Sequence, residues 1–408
     1  MISKTSRNFL PDSKTRRKLW LKVHLYIGLF AGAVFVLIGL AGSLSVFKPE
    51  IDSVLNPALK KIQGYSSQPP YRSLDEIAAA AKTVIPKQGK PYAFVFPSQP
   101  DEAFSVTYSL PAPVPGQSEW HLVSVNPYNA RIMGQRLMFD TGNPWRGSLM
   151  NFFVRFHYTL ALGEGGKTFV GIVSLFLLFS ILTGLIVWWP SPGKLSRALT
   201  IKARASTERL NFDLHKTFGF YFSIMLIVIV FSGIYLVFPS YVSGLVNLFS
   251  SLKSDSVNLI SEPNERQLAI GLDQVAAITN KHFPNGEYKM IVLPQDQHGF
   301  YRVVKRAPQE INRTRSRRML WIDQYSGKIM QERDPKDDSV GDVFLQWLYP
   351  LHSGEAFGLT GRIIIAVTGL VPLLLYVTGV IRWLQKRKVA KHHIERRCYP
   401  HKVQPNHD

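Results

Sequence analysis

The chain has 408 residues, 46% of them hydrophobic, and its 48 basic and 28 acidic side chains give a net charge of +20. Such an excess can indicate nucleic-acid binding, but here it is concentrated in residues 1–22, 190–214 and 382–408, which together hold 20 basic and five acidic residues. Each segment borders a long apolar run, and basic residues beside membrane-crossing segments mark the cytoplasmic side. We therefore predict a membrane protein that contacts the lipid bilayer and has no nucleic-acid partner.

Four apolar runs reach the roughly 20 residues needed to cross a bilayer. They cover residues 23–47, 168–189, 217–238 and 363–381, and none has an Asp, Glu, Lys or Arg between its ends. The first run follows a basic stretch, as in a signal peptide, but it is too long for a signal-peptide core and recurs as the third run. We expect it to be retained as the first of four transmembrane helices.

The two halves of the chain align with each other. His24 aligns with His215 at an offset of 191 residues, and His157 aligns with His352 at an offset of 195. The glycines that align are Gly28 with Gly219, Gly42 with Gly233, Gly166 with Gly361 and Gly184 with Gly379. A repeat of this length indicates a duplicated domain rather than a solenoid.

Both long connections, residues 48–144 and 239–340, follow the same order of patterns. Each starts with an amphipathic helix pattern, SLDEIAAAAKTVI near residue 73 and GLDQVAAITNKHF near residue 271. Alternating strand patterns follow, and each connection ends in a hairpin-like pattern, VSVNPYNARIMGQ near residue 123 and LWIDQYSGKIMQE near residue 320. We predict two small α+β domains, each a helix packed on an antiparallel sheet.

The predicted fold is an integral membrane α-helical protein, a four-helix transmembrane bundle from an internal duplication with two small periplasmic α+β domains. The predicted segments are a cytoplasmic N-terminus and first helix (1–47), a first periplasmic domain (48–144), an interfacial segment and second helix (145–189), a cytoplasmic loop (190–214), a third helix (215–238), a second periplasmic domain (239–340), an interfacial segment and fourth helix (341–385) and a cytoplasmic tail (386–408).

Four histidines lie at matching ends of the apolar runs. His24 and His215 would form a pair on the cytoplasmic side, and His157 and His352 a pair on the opposite side. A neutral imidazole is a good axial ligand of haem iron, and two of them leave no open coordination position. The alternative is that each is an ordinary interfacial histidine. Because Cys398 is the single cysteine, covalent attachment through C-x-x-C-H is excluded, and any haem would be held non-covalently.

The second pair lies in amphipathic segments that precede the second and fourth runs. These segments, WRGSLMNFFVRFHYTL and DVFLQWLYPLH, are typical of interfacial helices. Arg146, Arg155 and Arg362 are near in sequence and could neutralise haem propionates or, equally, contact lipid headgroups. For the first pair the corresponding candidates, Lys18, Lys22 and Arg209, are better explained by the positive-inside rule.

The first helix has an L-x-x-H-x-x-x-G pattern, and both connections contain related modules, SLDEI followed by VNPYNARI in the first. In these features the chain resembles the PepSY-associated transmembrane helix proteins over nearly its whole length. Within that family it is most similar to ferrisiderophore reductases of the bacterial inner membrane. The resemblance implies two non-covalent haem b groups, a multi-pass protein with both termini cytoplasmic, and a ferric siderophore or other ferric chelate as substrate.

The expected function is transmembrane electron transfer that reduces a ferric chelate in the periplasm and releases Fe(II) for iron uptake. No G-x-G-x-x-G follows a strand pattern, so the electrons would come from quinol or a separate cytoplasmic reductase. The alternatives are a siderophore transporter component, which the absence of charged residues within the apolar runs disfavours, and a non-enzymatic, iron-regulated sensor.

Two further motifs carry weaker signals. The run KRAPQEINRTRSRR, residues 305–318, could attract anionic ferric chelates, but a solvated hairpin is the favoured interpretation. Residues 161–168, ALGEGGKT, fit a loose phosphate-loop pattern. Because this segment opens an apolar run instead of following a strand, we expect it not to bind a nucleotide.

Overall fold

The computed structural model describes residues 13–62, 70–202, 204–253, 259–263 and 268–398. For residues 13, 14 and 391–398 it describes the backbone alone. The ends of the predicted cytoplasmic segments, residues 1–12 and 399–408, therefore lie outside the described residues.

The helices in chain order are α1 (Ser13–Ser45), α2 (Lys48–Leu55), α3 (Pro57–Lys60), α4 (Leu74–Lys82), α5 (Leu149–Thr159), α6 (Gly163–Trp188), α7 (Leu195–Leu199), α8 (Thr207–Tyr221), α9 (Ser223–Val237), α10 (Pro239–Asn247), α11 (Leu272–His282), α12 (Val340–Ser353) and α13 (Gly358–Cys398). The strands are β1 (Lys90–Val95), β2 (Phe104–Pro111), β3 (Ser118–Val125), β4 (Ile132–Asp140), β5 (Glu287–Val292), β6 (Phe300–Arg306), β7 (Met319–Asp323) and β8 (Ile329–Arg333). Short 3-10 helices cover Pro335–Asp337 and Glu355–Phe357.

The chain divides into two compact units. The helical unit comprises residues 1–43, 168–237 and 364–408, and the sheet unit comprises residues 44–167 and 238–363. Each unit therefore takes segments from both halves of the duplication. The chain passes from the helical unit into the sheet unit and back twice.

Among the residues that the structure describes, three continuous helices are long and apolar enough to cross a membrane. Their candidate spans are Thr15–Ser45, Gly163–Trp188 and Glu355–Ala390, with hydropathies of 2.3, 2.6 and 2.3. The predicted third span is wrong as a single helix, because α8 and α9 meet at an angle of 58° with Phe222 at the break. The Ser223 hydroxyl donates to Phe220 O at 2.7 Å across this break. The apolar composition continues through the bend, so hydropathy gives no sign of it.

The predicted pair of separate α+β domains is also wrong. The strands form one eight-stranded antiparallel sheet in the order β4-β3-β2-β1-β5-β6-β7-β8. The two halves join where β1 pairs with β5, with Phe94 opposite Ile291, and both of these side chains are fully buried. Each half alone would leave an apolar strand edge unpaired, and pairing the two edges removes that exposed backbone. The predicted four-helix bundle with two small domains is thus replaced by three continuous spans, one bent helix pair and a shared sheet.

The two amphipathic helices predicted from the sequence are present as α4 and α11, and each is capped by the other half of the chain. Asp273 accepts hydrogen bonds from the backbone N–H of Leu74 at 2.8 Å and of Asp75 at 3.4 Å. Asp75 in turn accepts from the N–H of Leu272 at 2.7 Å and of Asp273 at 3.3 Å. These carboxylates satisfy N–H groups that a helix N-terminus leaves unpaired. The two halves are therefore joined by exchanged caps as well as by the shared sheet.

A single apolar core lies between α4, α11 and the sheet. It contains residues from both halves of the chain, and its fully buried members include Ile77, Phe94, Phe104, Val123, Val275, Ile291, Leu320 and Ile322. Burying apolar surface of this kind is the main favourable contribution to folding. The sheet unit is consequently one folding unit with an internal repeat, and it presents α5 and α12 beyond the ends of β4 and β8.

Candidate functional site

The structure brings the four predicted histidines together in two pairs. His24 on α1 faces His215 on α8 within the helical unit, with ring centres 6.3 Å apart and ring planes at 75°. His157 on α5 faces His352 on α12 within the sheet unit, with ring centres 5.9 Å apart and ring planes at 53°. Each pair joins one histidine from each half of the duplication.

Hydrogen bonds set the orientation of both rings in the helical unit. His24 Nδ1 lies 3.0 Å from Ser180 O, a carbonyl that can only accept, so Nδ1 carries the proton. His215 Nδ1 lies 3.0 Å from the hydroxyl of Thr378, which itself donates to Leu374 O at 2.7 Å and therefore accepts from the ring. Both imidazoles are thus held as the Nδ1–H tautomer, which leaves the Nε2 lone pair available to a metal. Metal-bound histidines are commonly oriented in this way by a bond to the second ring nitrogen.

Aligned glycines pack against the same two rings. A Cβ on Gly184 would lie 3.0 Å from His24 Cε1, and a Cβ on Gly379 would lie 3.4 Å from His215 Cε1. These glycines align between the two halves of the sequence, but no role was predicted for them. The residues that form hydrogen bonds with Nδ1 were not predicted either. A signal was available, because Thr183 and Thr378 each directly precede the aligned glycine and both lie within 3.4 Å of a histidine Nδ1.

Close turns position the histidines of the sheet unit. α5 and α12 are each followed by a turn and then by the next helix. The aligned glycines, Gly166 and Gly361, lie in the first turn of that next helix, where its backbone packs against the end of the preceding helix. A Cβ on Gly166 would lie 1.9 Å from Thr159 O, and a Cβ on Gly361 would lie 2.2 Å from Gly354 O. No side chain fits at either position, since real Cβ contacts are essentially never this short. The duplicated glycines therefore fix α5 and α12, and with them the half-buried His157 and His352.

The arginines proposed as propionate or headgroup partners have partners within the protein. Arg146 forms ion pairs with Glu119 at 2.6 Å and with Asp140 at 3.0 Å. Arg155 donates to Asp140 O at 2.9 Å. Arg362 binds Glu50 through both Nη atoms at 2.6 Å and donates to Val46 O. Among the candidates of the helical unit, Arg209 pairs with the buried Asp213 at 2.9 Å, and Lys18 and Lys22 are exposed.

Residues 161–168 follow α5, and α6 begins at Gly163. The segment thus lacks the preceding strand of a phosphate loop.

The spacing of both pairs fits a metal held between two imidazoles. A metal-bound imidazole nitrogen lies about 2 Å from the metal and its ring centre about 1 Å further, so two opposed ligands have ring centres about 6 Å apart. The observed distances are 6.3 and 5.9 Å. Across the described part of the chain, no group of three or more His, Cys, Asp or Glu side chains is placed to hold a metal ion. Two imidazoles alone do not complete the coordination of a metal ion, so its other ligands would have to come from a bound group.

A comparison with protein families gives a match to the PepSY-associated TM region over residues 21–386. The chain belongs to this family. The predicted family is thereby confirmed, and the protein is a membrane protein. The match includes all four histidines, the part of the candidate spans between residues 21 and 386, and the whole sheet. No curated protein sequence matches the chain, so the family assignment depends on this match.

Proposed function

We propose that this protein transfers electrons across a bacterial inner membrane and reduces a ferric siderophore or another ferric chelate in the periplasm. The observation that carries the proposal is the pair of duplicated histidine contacts, each at the ring spacing of two axial ligands on one metal. A haem b with two imidazole ligands would supply reversible one-electron transfer without an open position for oxygen. The product, Fe(II), is held less tightly than Fe(III) by hard oxygen donors, so reduction releases the metal.

The chain itself would hold and orient the two groups. His24 and His215 present Nε2 because Ser180 and Thr378 bind Nδ1. A Cβ on Gly28 or Gly219, one turn after these histidines, would make only an ordinary contact, 4.0 Å from Ser180 Oγ or 3.7 Å from Leu375 Cδ2, so packing within the chain does not require glycine there. The His24–His215 pair would lie nearer the electron donor, quinol or a cytoplasmic reductase. The His157–His352 pair, on helices of the sheet unit, would lie nearer the ferric substrate.

The shared sheet and the distribution of charge support the proposed orientation. Because β1 and β5 pair, residues 44–167 and 238–363 must lie on one side of the membrane. The chain leaves the sheet unit through α6 and is back in it at Phe238, so if α6 crosses the membrane, α8 and α9 together must bring the chain back. The basic segments 1–22, 190–214 and 382–408 then share the other face, which the positive-inside rule makes cytoplasmic.

Haem content of the purified full chain tests the ligand assignment. The wild-type protein should contain about two non-covalent low-spin haems, and His24→Ala and His352→Ala should each lose one. A matched control is His121→Ala, since His121 pairs with Glu119 on β3 and belongs to neither contact. Colourless protein after expression with ample haem, or full haem content in the double variant, contradicts the assignment and favours the non-enzymatic sensor.

Electron transfer is tested anaerobically with dithionite-reduced protein. Mixing with a ferric siderophore and the ferrous trap ferrozine should reoxidise the protein, with one Fe(II) formed for each electron lost. His352→Ala should slow both signals together. If no ferric chelate reoxidises the protein faster than oxygen-free buffer does, the reductase function is wrong even if both haems are present.

A further inference from the structure

A loop in the second half of the sheet is twice as long as the aligned loop in the first half. Residues 307–318 connect β6 to β7 with 12 residues, whereas residues 112–117 connect the aligned strands β2 and β3 with six. We call residues 307–318 the α12 strap, because its contacts follow helix α12. Since the rest of the two half-sheets repeats, this difference gives His352 surroundings that His157 lacks.

The strap has a defined internal structure. The Glu310 carboxylate accepts hydrogen bonds from the backbone N–H of Ala307 at 2.7 Å and of Arg317 at 2.6 Å, and so closes the loop at its base. Asn312 Oδ1 accepts from the N–H of Arg315 at 2.7 Å. Glu310 and Asn312 are both only 3% exposed. The favoured interpretation of this run as a solvated hairpin is therefore wrong for the base of the loop, where a buried carboxylate organises the backbone.

Four contacts lay the strap along α12. Arg317 pairs with Asp342 at 3.1 Å, Gln346 donates to Glu310 at 3.3 Å, Arg315 covers the ring of Tyr349 at 4.3 Å, and Thr314 donates to Glu355 at 2.8 Å. Asp342, Gln346 and Tyr349 share one helix face, because residues three and four apart are neighbours on a helix.

The tip of the strap lies beside the helical turn that carries His352. Tyr349 precedes His352 by three residues and Glu355 follows it by three, and these are the residues that Arg315 and Thr314 contact. Thr314 and Arg315 consequently contact the residues three before and three after His352. The first half of the sheet offers no such segment to His157, because its connection stops at residue 117.

The positive side chains of the basic run, residues 305–318, fall into two groups. Four have partners in the protein: Lys305 with Phe283 O, Arg306 with Glu310 O, Arg317 with Asp342 and Arg318 with Asp334. Arg313 and Arg315, at the tip, are exposed, and within the described residues neither has a carboxylate partner. Two guanidinium groups without a carboxylate partner among the described residues therefore lie on the segment that contacts the helical turn of His352, the histidine we assign to the substrate side.

We propose that Arg313 and Arg315 form the recognition site for the substrate, and that the substrate class is ferric chelates with net negative charge and free carboxylate or phenolate oxygens. This inference rests on the proposed function. Guanidinium groups bind such oxygens through paired, charge-assisted hydrogen bonds. Binding at the strap brings the chelate next to His352. One electron then passes from the reduced protein to Fe(III), which becomes Fe(II), and no proton or further reactant is consumed.

Gallium chelates test recognition separately from electron transfer, because Ga(III) forms the same complexes without being reduced. Equilibrium dialysis of radioactive gallium citrate, which is anionic, and of gallium held by a neutral cyclic trihydroxamate would use the full chain in a zwitterionic detergent. Arg313→Gln and Arg315→Gln should each weaken citrate-complex binding about 2- to 5-fold, and the double variant about 10-fold. The neutral complex should bind weakly and equally to all variants.

Arg131→Gln is the matched control. Arg131 is also exposed and lies at the start of β4, whereas α5 follows the other end of that strand, about 25 Å away. Its loss should leave gallium citrate binding unchanged. Raising the salt concentration should weaken wild-type binding more than binding to the double variant, since the lost contacts are ionic.

Equal binding of the two gallium complexes, or binding of gallium citrate that is unaffected by the double substitution, overturns the proposal. A loss of affinity for anionic lipid vesicles in place of the gallium complex also overturns it, because the two arginines would then contact headgroups. The proposed reductase function has its own test: if the double variant is reoxidised as fast as wild type by a neutral ferric trihydroxamate, electron transfer stands whatever the binding result.

Discussion

Because Asp75 caps α11 and Asp273 caps α4, a substitution in one half of the chain should destabilise a helix in the other half. Asp75→Ala removes the bonds to Leu272 N–H at 2.7 Å and to Asp273 N–H at 3.3 Å. The N-cap residue of α11, Gly271, has no side chain that could replace them. Loss of an N-cap side chain costs about 0.5–2 kcal/mol, and carboxylate bonds lie at the upper end, so we expect a loss of about 2 kcal/mol.

The reverse substitution should cost less. Asp273→Ala removes the bonds to Leu74 and Asp75, but α4 keeps its own N-cap, because the Ser73 hydroxyl accepts from Glu76 N–H at 3.1 Å. We expect about 1 kcal/mol. Burial raises the pKa of Asp273, but the hydrogen bonds from Leu74 and Asp75 lower it by more, so the carboxylate is ionised and caps at neutral pH.

Hydrogen–deuterium exchange of the full chain measures the effect by segment. In Asp75→Ala, a loss of 2 kcal/mol should speed exchange of the first turn of α11, from Leu272, by about 30-fold, although the substitution lies 197 residues away. Asp101→Ala is the control, because Asp101 forms an exposed ion pair with Lys61 and caps no helix. Faster exchange confined to α4, or none in α11, would refute the exchanged caps and the joining of the two halves.

Three further predictions test the site and the strap. Gly184→Val should displace the ring of His24, whose Cε1 lies 3.0 Å from the built Cβ, and lower the haem content by one, whereas Gly165→Val, with no atom within 4 Å, should leave it unchanged. Burial raises the pKa of Glu310 from 4.5 to about 7. The folded state then holds the proton more tightly, so stability should fall as pH rises from about 4.5 to about 7, by on the order of 3 kcal/mol, and Glu310→Gln should lack this pH dependence of melting temperature. If the melting temperature of the wild type changes with pH in parallel with that of Glu310→Gln, the raised pKa of Glu310 is contradicted. Electron paramagnetic resonance should resolve two low-spin signals, one lost in His215→Ala and the other in His157→Ala, because each histidine pair would hold its own haem. Loss of the same signal in both variants contradicts the assignment.

The sequence located the local elements well. The alternating runs at 300–306 and the amphipathic pattern near residue 271 correspond to β6 and α11. Such patterns depend on which side chains face the core within one short segment, so they can be read directly. The bend between α8 and α9 could not be predicted in this way, since Phe222 lies inside the continuous uncharged run of residues 217–238.

The contacts of charged residues were the hardest to foresee. Arg146, Arg155 and Arg362 were interpreted from their proximity in sequence to the histidines, but their partners Glu119, Asp140 and Glu50 lie up to 312 residues away. The same holds for the basic run, where Arg317 and Arg318 are paired and Arg313 is not. A charge count gives the number of positive groups, whereas the fold decides which of them are neutralised.

The sequence by itself determined the duplication, the apolar runs, the strand and helix patterns and the four histidines, because each is a property of residue type and spacing along the chain. Only the tertiary structure decided that the two half-sheets join at Phe94 and Ile291, that Asp75 and Asp273 exchange caps, and that the histidines meet in two pairs. These contacts join residues that are nearly 200 positions apart. Their formation depends on which exposed strand edges, unpaired helix ends and apolar faces the folded chain can bury together, and no local pattern records that choice.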